Sequence, residues 1–281
     1  MFPISDSIPS RTVPVTNYLL IAVCAAVFMI QVGSGSRGDA IVEQYGMIPY
    51  RVFHPNEPIE IVRTETQPEM TPFGVRLRKV RVRETLPPSP IPPILTLLTS
   101  IFLHGGWMHF LGNMWFLYIF GDNVEDRFGH VGFLFFYLAC GILASLAHLF
   151  LHANSTVPTI GASGAIAGVM GAYFLLYPRA HIITLLPVFF IPYIVVLPAS
   201  VFLGVWFLFQ FFQGTAAITS IQTTGVAWWA HIGGFAAGMF FTWELQREER
   251  LRPPVTEVLP YAERTSHYRL TRERNPWQRR V

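Results

Sequence analysis

The feature that most constrains this chain is a stretch of about 160 residues, from Glu84 to Glu244, with only two basic residues, Arg127 and Arg179. Nine of the remaining Lys and Arg residues precede it and nine follow it. Such a stretch cannot cover itself with charge, so its outer surface is expected to face lipid.

The whole chain is 13% charged, whereas soluble domains carry roughly 25%. Its mean hydropathy is +0.41. These figures argue against a soluble domain, a disordered chain and a nucleic-acid binder.

Six apolar segments predict an all-α polytopic membrane protein, a bundle of six transmembrane helices. The first is Asn17–Val32, and the others lie near 107–121, 132–152, 161–177, 197–213 and 226–244. Several are shorter than the roughly 20 residues that span a bilayer, so local thinning or water access is expected. The apolar segment 182–196 contains Pro187 and Pro192 and is interpreted as an interfacial connection before the fifth helix.

The first apolar segment has two interpretations. It resembles a signal peptide because small residues follow it. However, one cation precedes it and no compact Ala-x-Ala site follows, which favours an uncleaved transmembrane helix. The segment 34–90 is polar and rich in proline. Within it, Gly74 to Arg83 alternates polar and apolar residues, which predicts a strand or hairpin.

The short loops indicate the orientation. Arg127, Arg179 and the tail, with nine Arg against five acidic residues, fall on one side if the N-terminus is cytoplasmic, as the positive-inside rule requires. The tail's charge could also bind nucleic acid, but a cytoplasmic flank is the simpler interpretation. We therefore expect a cytoplasmic segment (1–16), a membrane domain (17–245) with an extracytoplasmic first loop (34–106), and a basic cytoplasmic tail (246–281).

Polar residues inside a bilayer are costly and usually functional. Four of them, His109, Asn113, Ser163 and His231, are each expected within roughly 10 Å of the outer surface, since a helix rises 1.5 Å per residue. No Asp, Glu, Lys or Arg lies in the middle of a predicted span, which argues against an ion-coupled transporter. Each residue also has a purely structural interpretation. A serine in a glycine-rich transmembrane helix is usually a packing residue, and a histidine near the interface usually anchors the helix there or forms a hydrogen bond. The shared depth is what favours a site.

Small residues predict that the fourth and sixth helices touch. Gly164 and Gly168 are spaced four apart, as are Gly234 and Gly238, and such pairs let transmembrane backbones approach closely. This contact would bring Ser163 within hydrogen-bond reach of His231. An imidazole can take the proton of a serine hydroxyl and return it to the leaving group. No carboxylate is expected at this depth, so the sequence predicts a Ser–His dyad.

Acyl transfer also creates an oxyanion, which needs hydrogen-bond donors. His109, Asn113 and the backbone N–H of Ser163 are the candidates, with His109 and Asn113 on one helix face. His104 is a loop residue, a helix cap or a site-lining group, and the three interpretations remain open. Gly161 and Gly164 flank the serine. Cys24 and Cys140 are expected to pack, and no metal or cofactor is expected.

The sequence resembles the rhomboid intramembrane serine proteases of the bacterial type, over roughly residues 15–245, and this resemblance implies a location in a bacterial inner (plasma) membrane. The matching segments are His104-Gly105-Gly106-Trp107-Met108-His109-Phe110-Leu111-Gly112-Asn113, Gly121-Asp122-Asn123-Val124-Glu125, Gly161-Ala162-Ser163-Gly164 and Ala230-His231-Ile232-Gly233-Gly234.

The resemblance implies cleavage of membrane proteins, single-span or polytopic, at or near their transmembrane segments, with the lipid bilayer as the medium and no nucleic-acid partner. It assigns the nucleophile to Ser163, the base to His231 and the oxyanion hole to Asn113, His109 and Ser163. Gly121 and Glu125 would be structural, and the fifth helix with residues 214–225 would form a lateral gate.

The sequence departs from the family pattern in two places. Residues 34–106 contain no Trp, although many relatives carry a Trp-Arg pair in this loop. Ala167 stands where some relatives place an aromatic ring that stacks on the histidine, so another group must orient His231. A non-catalytic rhomboid-like protein that binds transmembrane clients is the main alternative. A transporter or channel would need a polar path to the inner leaflet, and the sequence shows none.

Overall fold

The computed structural model of the protein describes residues 1–35, 37–71, 74–188, 191–219 and 227–253. The described residues are mostly helical, with two small antiparallel sheets. In chain order the elements are β1 (Phe2–Asp6), α1 (Val15–Gly33), α2 (Arg37–Tyr45), α3 (Pro49–Phe53), β2 (Glu60–Thr71), β3 (Gly74–Thr85), α4 (Thr96–Thr99), α5 (Trp107–Phe128), α6 (His130–Leu151), α7 (Ser163–Leu176), β4 (His181–Val188), β5 (Ile191–Pro198), α8 (Ala199–Thr219) and α9 (Trp228–Arg247).

Within the described ranges, three helices are long and apolar enough to cross a membrane, namely α1, α6 and α8. A fourth span is formed if the turns at Pro93–Phe102 and α5, which meet at 78°, count as one bent unit. Helix α7 is apolar but has only 14 residues. Each of the six apolar segments found in the sequence contains a long helix or α7. Because only three or four of the described helices are long and apolar enough to count as spans, the count of six spans remains a prediction.

The predicted end of the second apolar helix, at residue 121, was wrong. Helix α5 continues to Phe128 and takes in Asp122, Glu125, Asp126 and Arg127. Charged residues can stay helical here because they have partners. Glu125, fully buried, accepts hydrogen bonds from the backbone N–H groups of Thr16 (2.9 Å) and Asn17 (2.7 Å).

This carboxylate caps the N-terminus of α1, where helical N–H groups lack partners inside the helix and a negative charge is favourable. A Cβ added at Gly121 would lie 2.3 Å from Oδ1 of Asn17, so only glycine lets α1 approach α5 this closely. Gly121 and Glu125 thus hold α1 against α5. Cys24 and Phe28 of α1 are buried in the same core.

Helix α7 is the centre of the bundle. Every residue from Gly164 to Tyr173 is buried, and α5, α6 and α9 surround the helix. A Cβ added at Gly234 would lie 2.0 Å from the carbonyl oxygen of Gly164, and one at Gly238 would lie 1.9 Å from that of Gly168. The predicted close contact between the fourth and sixth apolar helices, here α7 and α9, is therefore confirmed.

The segment between α1 and α5 is more than a loop. Its predicted hairpin is confirmed, because β2 and β3 pair antiparallel, with Glu60 opposite Thr85 at one end and Thr71 opposite Gly74 at the other. Two short helices, α2 and α3, precede the hairpin. Ile48, Ile59 and Leu86 form a small apolar cluster at its base.

The segment predicted as an interfacial connection, 182–196, is a second hairpin. Strands β4 and β5 pair antiparallel, with Pro187 opposite Pro192, and β1 pairs with β4. The β1 carboxylate of Asp6 accepts hydrogen bonds from Tyr173 Oη (2.5 Å) and Asn123 Nδ2 (2.7 Å). The start of the chain is thereby fastened to the ends of α5 and α7. Most of the basic tail, from residue 254, lies outside the described residues.

The contact between α7 and α9 generates a prediction. Gly238→Ala should lower the free energy of unfolding by about 1–3 kcal/mol, since the new methyl group collides with the backbone of Gly168. Thermal unfolding in detergent should show a lower Tm. In Gly204→Ala, on α8, the methyl group meets only Phe174, at 3.9 Å, so its Tm should be unchanged or slightly higher. Equal Tm values for the two variants would contradict this account of the packing.

Candidate active site

Two side chains meet at the neighbouring ends of α7 and α9. The hydroxyl oxygen of Ser163, the first residue of α7, lies 2.8 Å from Nε2 of His231, in the first turn of α9. Both residues are half-buried. Because the glycine contacts hold the two helices together, the helix starts lie side by side. The structure thus brings together the pair that the sequence predicted as nucleophile and base.

The other ring nitrogen of His231 also has a partner. Its Nδ1 lies 2.8 Å from Oε1 of Gln210 on α8, and Gln210 is 5% exposed. A carboxamide oxygen can only accept a hydrogen bond, so Nδ1 carries the proton. The lone pair of Nε2 then faces the hydroxyl of Ser163. This is the tautomer that a general base requires.

Gln210 was missed in the sequence, although a signal for it existed. It is the one amide or charged residue between Val201 and Phe212, and polar groups in such a helix are costly. Ala167 leaves no aromatic ring in the position that some relatives use. Trp206 lies beside the imidazole instead, with ring centroids 5.9 Å apart. Helix α8 therefore supplies both groups that contact His231 from this side.

The predicted oxyanion donors lie around Gly161, two residues before Ser163. A Cβ added at Gly161 would lie 2.7 Å from Nε2 of His109 and 3.7 Å from Nδ2 of Asn113. The φ angle of Gly161 is +122°, a conformation that residues with a side chain rarely adopt. Glycine is required here both for the backbone turn and for the approach of the two side chains.

Both side chains can donate a hydrogen bond. Nδ1 of His109 accepts from the backbone N–H of Gly105 at 3.3 Å, which leaves the proton on Nε2, the nitrogen that faces Gly161. Asn113 is buried, and its Nδ2 has no hydrogen-bond partner among the described residues. A buried donor without a partner is unfavourable, and such a group suits a ligand that brings an acceptor.

The weaker site candidates occupy supporting positions. His104 is 2% exposed, and its ring lies 5.4 Å from that of His109. Gln31 binds the backbone of His104 at both its N–H (3.1 Å) and its carbonyl (3.0 Å). His104 therefore packs behind His109. Gly164 belongs to the contact between α7 and α9. In the part of the chain that the structure describes, no three His, Cys, Asp or Glu residues are grouped to hold a metal ion.

Comparison with known proteins identifies the family. The family model of the Rhomboid domain matches residues 93–248, more than half of the chain. The chain belongs to the rhomboid family. The matched region of this rhomboid includes the site residues on α5, α7, α8 and α9. Together with the apolar helices, the family shows that the protein is an integral membrane protein.

The relatives of this rhomboid come from several sources. The chain is 30% identical over 169 residues to Rhomboid protein 1, mitochondrial, of Saccharomyces cerevisiae, covering 56% of this chain and 45% of the relative. It is 34% identical over 173 residues to RHOMBOID-like protein 12, mitochondrial, of Arabidopsis thaliana, covering 56% and 48%. It is 35% identical over 146 residues to Rhomboid protease GluP of Bacillus subtilis, covering 51% and 24%. The chain thus spans less than half the length of each of these relatives.

Proposed function

We propose that this rhomboid is an intramembrane serine endopeptidase that cleaves membrane proteins at or near their transmembrane segments. The observation that carries the proposal is the 2.8 Å contact between Ser163 Oγ and His231 Nε2, made by a histidine whose other nitrogen is held by Gln210. The similarity to Rhomboid protease GluP adds support.

The proposed reaction begins when Oγ of Ser163 attacks the carbonyl carbon of the peptide bond and its proton moves to Nε2 of His231. The carbonyl π electrons move onto oxygen. When the intermediate collapses, the C–N bond breaks and the amine leaves with the proton from Nε2. A water molecule then attacks the acyl ester in the same way, giving the carboxylic acid and restoring the hydroxyl of Ser163.

The oxyanion would be held by three donors: Nε2–H of His109, Nδ2 of Asn113 and the backbone N–H of Ser163. The last is available because the first N–H groups of a helix have no partner inside it. Asn113 is buried, so little water competes with its amide for the oxyanion, and its hydrogen bond contributes more than it would in bulk solvent. The unpartnered Asn113 amide fits this role because the developing charge supplies its acceptor.

The topology is part of the proposal. The protein would lie in a bacterial inner membrane with six spans. Residues 1–16 and the tail 246–281 would then be cytoplasmic, and residues 34–106 extracytoplasmic. Helix α7, with 14 residues, is about 21 Å long, shorter than the bilayer core. A serine at its outer end would therefore be reached by water, which the second half of the reaction consumes.

Removal of the nucleophile tests the function. Ser163→Ala should abolish cleavage of a single-span substrate in proteoliposomes and labelling by a fluorophosphonate in detergent, because both need the hydroxyl. Ser200→Ala, which removes another hydroxyl of the bundle, should retain both. Unchanged cleavage by Ser163→Ala would refute the assignment. A wild-type protein that binds transmembrane segments but neither cleaves them nor reacts with the probe would indicate the non-catalytic alternative.

The oxyanion donors generate a second test. Asn113→Ala should lower kcat by about 10²-fold or more and leave KM nearly unchanged, because the lost bond forms chiefly in the transition state. Asn56→Ala, at an exposed position, is the matched control and should behave as wild type. A larger effect on KM than on kcat would place Asn113 in substrate binding instead.

We also propose that α8 and residues 214–225 form the lateral gate, of which 220–225 lie outside the described residues. The face of α8 that points away from α9 is open, with Leu208 53% and Phe212 66% exposed. A substrate helix in the bilayer could therefore reach Ser163 by displacing α8, which also supplies Gln210 and Trp206 beside His231.

A disulfide between α8 and α9 tests this gate. A Cβ at Gly214 would lie 3.3 Å from Cβ of Trp228, close to the separation of roughly 3.5–4.5 Å found in disulfides. Oxidised Gly214→Cys/Trp228→Cys should lose cleavage of a membrane-embedded substrate but still react with a fluorophosphonate, and reduction should restore cleavage. The natural cysteines, Cys24 and Cys140, are buried and should not interfere. Undiminished cleavage by the oxidised variant would contradict the gate.

A further inference from the structure

We propose that Gln210 is the positioning residue for His231, and that the catalytic base is correctly oriented only while α8 is docked against α9. The proposal rests on the protease activity proposed above. It goes further in assigning the orienting role to a neutral amide on α8, a helix with one exposed face.

The first argument is the tautomer. The neutral imidazole has one proton, which resides on either nitrogen. Only the form with the proton on Nδ1 leaves Nε2 free to accept the proton of Ser163. Oε1 of Gln210, 2.8 Å from Nδ1, favours this form. No Asp or Glu in the described part of the chain forms an ion pair with His231, so the amide takes the place that a carboxylate holds in a Ser-His-Asp triad.

The second argument is burial. Gln210 is 5% exposed, so its side chain has few alternative partners. A buried ionised carboxylate would carry a large desolvation cost in this position, whereas a neutral amide carries much less. A glutamine can therefore orient the imidazole inside an apolar bundle without bringing a charge there.

The third argument is the position of Gln210 on α8. One face of this helix packs on α9, where the rings of Phe207 and Phe235 lie 4.8 Å apart. The opposite face is open, with Leu208 53% and Phe212 66% exposed. The docked side is thus held by apolar contacts, and Gln210 adds the hydrogen bond to His231. If α8 moves away, Nδ1 loses its acceptor and the productive tautomer loses its advantage.

The test compares two substitutions of Gln210. Gln210→Met keeps the approximate length and removes the acceptor, whereas Gln210→Glu keeps an acceptor oxygen. We expect Gln210→Met to lower kcat by about tenfold or more, from the loss of one hydrogen bond to the reacting histidine, with KM nearly unchanged. Gln210→Glu should lose less kcat than Gln210→Met, because it keeps the acceptor oxygen although it brings a desolvation cost. Gln213→Met, the same change at the next glutamine of α8, is the matched control and should behave as wild type.

A second measurement does not depend on activity. ¹⁵N NMR of histidine-labelled protein, with His231→Ala used to assign the signal, reports which ring nitrogen carries the proton. We expect the Nδ1–H form to dominate in wild type and in Gln213→Met, and to lose its dominance in Gln210→Met. This readout distinguishes the two proposals: a wild-type protein that cleaves nothing but shows the Nδ1–H form refutes the protease and supports the role of Gln210.

Two results would overturn the inference. The first is a Gln210→Met variant with wild-type kcat and an unchanged His231 tautomer. The second is an equal loss of kcat in Gln210→Met and Gln210→Glu with the wild-type tautomer in both, which would show that Gln210 matters only for packing.

Discussion

The site depends on the backbone contact between α7 and α9. Gly164 and Gly168 on one helix face Gly234 and Gly238 on the other so closely that a single methyl group has no space. In a membrane, where lipid tails are as apolar as the side chains, helices associate through such packing. Two helices held this rigidly keep their first turns in register. The glycine contacts therefore keep the hydroxyl of Ser163 within hydrogen-bond reach of the imidazole of His231.

Helix α5 connects the two ends of the bundle. At one end, Glu125 caps the N-terminus of α1 through Thr16 and Asn17. At the other end, His109 and Asn113 lie beside Gly161. A helix pinned at its far end is hindered from sliding along its axis, so His109 and Asn113, the proposed oxyanion donors, remain at the depth of Ser163. The buried carboxylate of Glu125 thus stabilises the candidate site from the opposite end of α5.

The site is assembled from elements that differ in how firmly they are held. Helix α7 is enclosed by α5, α6 and α9 and carries Ser163, the proposed nucleophile, while α5 is fastened by buried hydrogen bonds and carries the proposed oxyanion donors. Helix α8 is held mainly along one face and carries Gln210. In the proposed protease, this division would let α8 move to admit a substrate helix while Ser163 and the proposed oxyanion donors stay in place.

The sequence by itself determined the membrane environment, the apolar helices and the close contact of two glycine-bearing helices. It also determined that Ser163 lies within hydrogen-bond reach of His231. These follow from local composition and spacing, which report burial and helix faces directly. It failed at the end of α5, because charged residues normally end an apolar helix, and the partners of Glu125 lie about 110 residues away in the chain. It also missed Gln210. A glutamine in an apolar helix has no local sign of its partner, and only the packing of α8 against α9 decided that its oxygen meets His231.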